Sequence, residues 1–110
     1  MDGSQAAESF RDLLLRYRGR TRLTQRELAQ RLGVHPRSVQ DWEAGVNHPG
    51  AERLQALIAV LLEAGGLSVG HEADEAEALW AAVERDSVRM HTPFDRVWFA
   101  RLVSQHGTGK

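Results

Sequence analysis

The chain has 110 residues, no cysteine and a formal net charge of -1, which suits one small domain that buries a core without disulfide or thiolate-metal staples. No apolar run reaches the roughly 20 residues of a membrane span, and the opening MDGSQAAES has no signal-peptide character, so a cytoplasmic chain off the membrane is expected. The charge is unevenly spread. Over residues 11–37 eight arginines stand against Asp12 and Glu27, whereas from residue 54 onward eight acids outnumber five bases. Such asymmetry points to a basic binding face and an acidic remainder, the plainer alternative being charge that only solvates helix surfaces.

Residues 1–7 are small and polar and are expected to fray. Phe10, Leu13, Leu14 and Tyr17 recur at i, i+3, i+4 and i+7, which predicts a first amphipathic helix ending near Gly19. The arginine-studded stretch that follows, Arg16, Arg18, Arg20 and Arg22, leads to a second helix. Thr24 and Glu27 make a capping box, with Leu23 and Leu28 as its hydrophobic staple. Leu28, Ala29 and Leu32 give that helix its apolar face, and Gly33 suits the positive φ at its end. The pattern repeats for a third helix, with His35 at the N-cap, Pro36 at N1, Val34 and Val39 as staple, Trp42 inward and Gly45 at the stop. Two helices joined by so tight a turn form a helix-turn-helix, whose second helix can lie in a DNA major groove.

After a loop over residues 46–50, Leu54, Leu57, Ile58, Leu61 and Leu62 define a fourth helix that Gly65 and Gly66 stop. Acids at Asp74, Glu75 and Glu77 favour the start of a fifth, whose face is Ala76, Leu79, Trp80 and Val83. Thr92 as N-cap, Pro93 at N1 and Asp95 at N3 predict the start of a sixth. Its stripe, Phe94, Val97, Trp98 and Leu102, is widened by Phe99 and Val103 and is broad enough to meet a second surface. The expected fold is therefore all-α. A four-helix head covers residues 1–66, two further helices cover residues 67–106, and residues 107–110 form a flexible tail.

The segment LTQRELAQRLGVHPRSVQDWEAG resembles the phage-repressor (Cro/C1, XRE) helix-turn-helix family. Thr24, Gln25, Leu28, Ala29, Leu32, Gly33, Val34, Val39, Glu43 and Gly45 all fall in register with it. The resemblance implies a repressor-like DNA-binding head, a phosphate contact from Gln25, and an ion pair between Arg18 and Glu43. The whole chain, including EAEALWAAVERDSVRMHTPFDRVWFARL, is also similar to the N-terminal region of bacterial multidomain regulators that carry an NB-ARC-type signalling ATPase. That likeness implies downstream domains as partners.

With the third helix in the groove, Arg37 can read guanine, Gln40 adenine, and Asp41 and His35 lie near the base edges. Arg22, Arg20 and Asn47 join Gln25 as phosphate contacts. Pro36 fills a base-reading slot without a donor, Asp41 brings an acid to the groove, and Asn47 and His48 stand where DNA-binding relatives often carry Lys or Arg. A second function therefore stays open, a protein-interaction or self-association module docking through Phe99 and Val103. Catalysis and metal binding find no support. His35, His48, His71, His91 and His106 form no i, i+4 pair, and no nucleophile elbow or nucleotide loop is present. No cofactor is expected. The partners expected are double-stranded DNA, with a second copy or downstream domains besides.

Overall fold

The computed structural model describes residues 8–107, and their regular structure consists of six helices and no strand. The fraying expected of residues 1–7 and the flexibility expected of residues 108–110 lie outside the described residues. Gly107, assigned above to the tail, instead closes the last helix. None of these helices is long and apolar enough to cross a membrane.

Helix α1 (Phe10–Thr21) starts where the Ser9 hydroxyl accepts the Asp12 N–H. It does not stop at Gly19. An interior glycine costs a helix only about 1 kcal/mol, and the turn here is built two residues later. Arg22 takes the left-handed conformation at φ 67°. The Thr21 hydroxyl donates to the Arg18 carbonyl at 2.6 Å and accepts the Leu23 N–H at 3.0 Å. Helix α2 (Gln25–Leu32) opens with both halves of the Thr24–Glu27 capping box in place and closes on Gly33 at φ 72°. Helix α3 (Pro36–Ala44) is capped by the His35 ring, whose Nδ1 accepts the Arg37 N–H at 3.0 Å, and ends on Gly45 at φ 76°.

Helix α4 (Ala51–Glu63) ends through Gly65 and Gly66. Gly66 is there for space as well as for turning: a Cβ on it would sit 2.8 Å from both the Tyr17 carbonyl oxygen and the Thr21 methyl. The absent side chain lets the end of α4 press against α1. Helix α5 (Glu72–Asp86) carries Glu72, Asp74 and Glu75 in its first turn, where acids favour the helix dipole.

The last helix, α6 (Arg96–Gly107), departs from expectation at its start. Asp95 performs the cap: its Oδ1 accepts the Trp98 N–H at 2.9 Å and its carbonyl accepts that of Phe99 at 3.1 Å. Thr92 and Pro93 stay outside the helix because the approach segment has another task. The Thr92 carbonyl accepts the Trp80 indole N–H at 2.8 Å, and the Phe94 ring packs edge-on to Trp80 at 5.8 Å between centroids. A buried indole needs such a partner for its N–H. Satisfying it holds the segment of residues 92–95 against α5.

One core serves all six helices. Phe10, Leu14 and Tyr17 of α1 join Leu28, Val39 and Trp42 of the hairpin, and Leu54, Leu57, Ile58 and Leu61 of α4. Leu79, Trp80 and Val83 of α5 and Phe99 of α6 complete the same cluster. Helix α5 packs against α1 and α4, and α6 against α4. Trp42 is buried at the phase of Val39, so it is a core residue and offers no stacking face.

Candidate nucleic-acid interface

The geometry begins at α3, capped at both ends and packed into the core along its inner side. Val39, Trp42 and Glu43 point into the molecule, and Arg37 and Gln40 are exposed on the opposite side. The Arg37 side chain is 73 % exposed, and its Nε donates to Asp41 Oδ1 at 3.1 Å one turn away. This i, i+4 pair sets the Asp41 carboxylate against the Arg37 cation. The two terminal nitrogens of Arg37, the pair that matches guanine O6 and N7, are not used in that bond. With Nδ1 of His35 accepting the Arg37 N–H, its Nε2 is the nitrogen left to carry a proton and donate. Pro36 is half-buried at the first turn.

Below α3 lies a charged network closed over by helices. The Glu43 side chain, 4 % exposed, accepts from Arg18 Nε at 2.5 Å and from a terminal nitrogen of Arg18 at 3.1 Å. The remaining terminal nitrogen of Arg18 donates to the Leu23 carbonyl at 2.9 Å. Gln25 Nε2 donates to the same carboxylate at 2.8 Å, so the amide at the first turn of α2 is held in one orientation. One of its two N–H groups is committed to Glu43, which leaves the second for a ligand. Arg11 Nε adds a bond to the Glu43 carbonyl at 3.1 Å.

The remaining phosphate candidates separate. Arg22 is exposed beside the start of α2 and has no ion-pair partner among the described residues. Its left-handed backbone, at φ 67°, costs a non-glycine residue about 1 kcal/mol. Arg20 is placed elsewhere. Its guanidinium donates to Glu75 at 2.8 Å and to the Gly66 carbonyl at 3.1 Å, and lies 4.9 Å from the Tyr17 ring centroid. It ties α5 to α1, so part of its hydrogen-bonding capacity is already met within the chain. Glu75 responds to that contact. Burial alone raises its pKa, but the Ser68 N–H at 2.7 Å and Arg20 outweigh it and hold the carboxyl below the usual glutamate range.

Asn47 is exposed in the α3–α4 loop and lines an open groove with His35, Ser38 and His48. Arg53 of α4 and Arg89 of the α5–α6 link border the same groove. The sequence reading missed both. Arg53 sits in the first turn of α4, where a reading centred on the apolar stripe overlooks it. Arg89 comes from 36 residues further along the chain, as the numbering shows, and carries no local signal. The interface pair is also corrected: Phe99 is 3 % exposed, packed on Phe94 and Trp98, because α6 turns that edge of its stripe into the core. Val103 is half-buried.

A helical hairpin capped at both glycines, with one polar face outward and a buried Arg–Glu pair beneath, defines a helix-turn-helix domain. The helix-turn-helix family model, of Cro/C1 type, matches residues 14–61, from within α1 to near the end of α4. That family consists of DNA-binding regulatory domains, which the matched stretch resembles. Neither the curated proteins nor the solved structures gave a match to the chain.

Proposed function

We propose that this chain is a sequence-selective regulator that binds double-stranded DNA with α3 in the major groove. Arg37 and Gln40 read bases, with His35 at the edge of the same surface. Gln25, Arg22 and Asn47 bind the backbone, and Asp41 acts as a positioning residue for Arg37. The observation that carries this reading is the outward half of α3. It presents an exposed, braced arginine on a helix whose inner half is fixed by Val39, Trp42 and the Glu43 network. The orientation of Gln25 by Glu43 adds to it, since a held amide loses less freedom when it meets a phosphate.

The test is binding of the full chain to its selected duplex and to mixed duplex across a salt series. Arg37→Ala is expected to cost about 1–3 kcal/mol on the preferred site and to relax the choice at one base pair. Arg22→Ala is expected to weaken every sequence alike and to make the salt dependence shallower by about one ion. Non-specific binding weaker than about 10⁻⁴ M at physiological salt, with no rescue at low salt, would sink the DNA reading.

One observation favours a protein-interaction role beside it. Val97 on α6 is 64 % exposed, and a separate cleft of about 430 Å³ between α6 and the start of α5 is floored by Phe94, Phe99 and Val103. The resemblance to multidomain signalling regulators makes a downstream domain or a second copy the natural occupant. Val97→Asp, which spares the core, tests this by sedimentation. Loss of a concentration-dependent dimer supports it, and a wild-type chain that stays monomeric removes self-association.

A further inference from the structure

The open groove beside α3 joins segments from opposite ends of the chain. The α2–α3 turn, the α3–α4 loop, the start of α4 and the α5–α6 link all border it, and it encloses about 510 Å³. Its polar lining is His35, Ser38, Asn47, His48, Arg53 and Arg89, and none of its lining residues is acidic. In a chain of fifteen acids and fourteen bases, an acid-free groove with two arginines is a concentration of positive charge. Neither Arg53 nor Arg89 has an ion-pair partner among the described residues.

The backbone that carries Arg89 is held on both sides. Before it, the Ser87 N–H donates to the Val83 carbonyl at 2.8 Å, and the Ser87 hydroxyl accepts the Arg89 N–H at 3.3 Å. After it, Met90 packs against the core and the Thr92 carbonyl is bound by Trp80. The cation is thus placed at the groove by the core of α5. The groove adjoins His35, which is also the N-cap of the helix assigned to base reading, so a duplex engaged by α3 passes alongside it.

From this juxtaposition we infer that the α5–α6 link is a second arm of the DNA-binding surface. Arg89, with Arg53, contacts backbone phosphate of the duplex whose bases α3 reads. The inference rests on the DNA reading above and extends it: the two C-terminal helices take part in binding through a residue outside the helix-turn-helix. Phosphate contacts of this kind position a protein without informing it of sequence. Arg89 therefore contributes affinity and salt dependence while base preference stays with Arg37 and Gln40.

The experiment is a salt titration of full-length wild type, Arg89→Ala, Arg89→Lys and Arg22→Ala on the selected duplex and on mixed duplex. Thermal melting checks that each variant is folded. Arg89→Ala is expected to make the slope of log K against log salt shallower by about 0.9, equally on both duplexes, and Arg89→Lys is expected to restore it. Ethylation interference is expected to lose one phosphate at the flank of the footprint in Arg89→Ala. If Arg89→Ala matches wild type in slope and affinity while Arg22→Ala weakens binding, the second arm is overturned and the DNA reading stands. A change of base preference in Arg89→Ala without a change of slope overturns the phosphate role as well. If wild type binds neither duplex at low salt, both readings fall together.

Discussion

Glu43 gathers three other residues, and the stability of the hairpin depends on what happens there. Its carboxylate takes two bonds from Arg18 and one from Gln25, while its carbonyl takes one from Arg11. Removing one partner of a buried pair leaves the other charge uncompensated, at a cost of about 3–5 kcal/mol. Arg18 is 21 % exposed and can recover some hydration, which places Glu43→Ala near the lower end of that range. In a domain of this size, the loss should lower Tm by on the order of 10 °C. Glu43→Gln keeps an acceptor for one neighbour and should fall between. A Glu43→Ala variant melting within about 2 °C of wild type would show that the pair contributes little net stability. The same carboxylate also sets the orientation of Gln25.

At the scale of the helices, Glu75 shows how one side chain docks α5 on the head. It receives Arg20 from α1 and the Ser68 N–H from the α4–α5 link. Its folded pKa is lowered, so its contribution is present above the unfolded value of about 4.3 and is lost as pH falls through the lower folded value. Glu75→Gln should be less stable than wild type at neutral pH, with the difference closing as pH drops below about 4. A constant gap in melting temperature across that range would refute the linkage. The caps of α2 and α3 were legible because each is a local signal: a side chain three residues from its partner, or a glycine at a forced φ. The end of α1 and the start of α6 were not, since each is decided by something distant. Gly19 yields to the turn at Arg22 that lets Gly66 approach, and Thr92 gives its carbonyl to Trp80. Phe99 was assigned outward for the same reason, its cover lying in the tertiary packing of α6, and the Glu75 partner of Arg20 lies 55 residues away. The basic groove escaped altogether, because Arg53 and Arg89 become neighbours only after α5 has packed.

The whole molecule behaves as one unit if the last two helices complete the core of the head. Trp80, Leu79 and Val83 are fully buried, and α5 covers faces of α1 and α4. The Phe10 N–H at the start of α1 is bound by Asp86 at 3.0 Å, and the Glu8 carbonyl by Arg85 at 2.8 Å. Truncation to residues 1–66 would remove these partners, leave Arg20 without Glu75, and uncover the apolar surface beneath α5. Exposing even three large side chains costs about 5 kcal/mol, comparable with the whole stability of a small domain at about 5–15 kcal/mol. The truncated chain should therefore melt broadly and far below wild type, and should bind a hydrophobic dye at room temperature. Selection of folded material by adding duplex DNA should rescue part of that loss, since a ligand bound only by the folded state raises its apparent stability. The rescued complex should still lack the salt dependence contributed by Arg89. A fragment of residues 1–66 with the melting curve and solubility of the full chain would instead make the C-terminal helices an independent appendage.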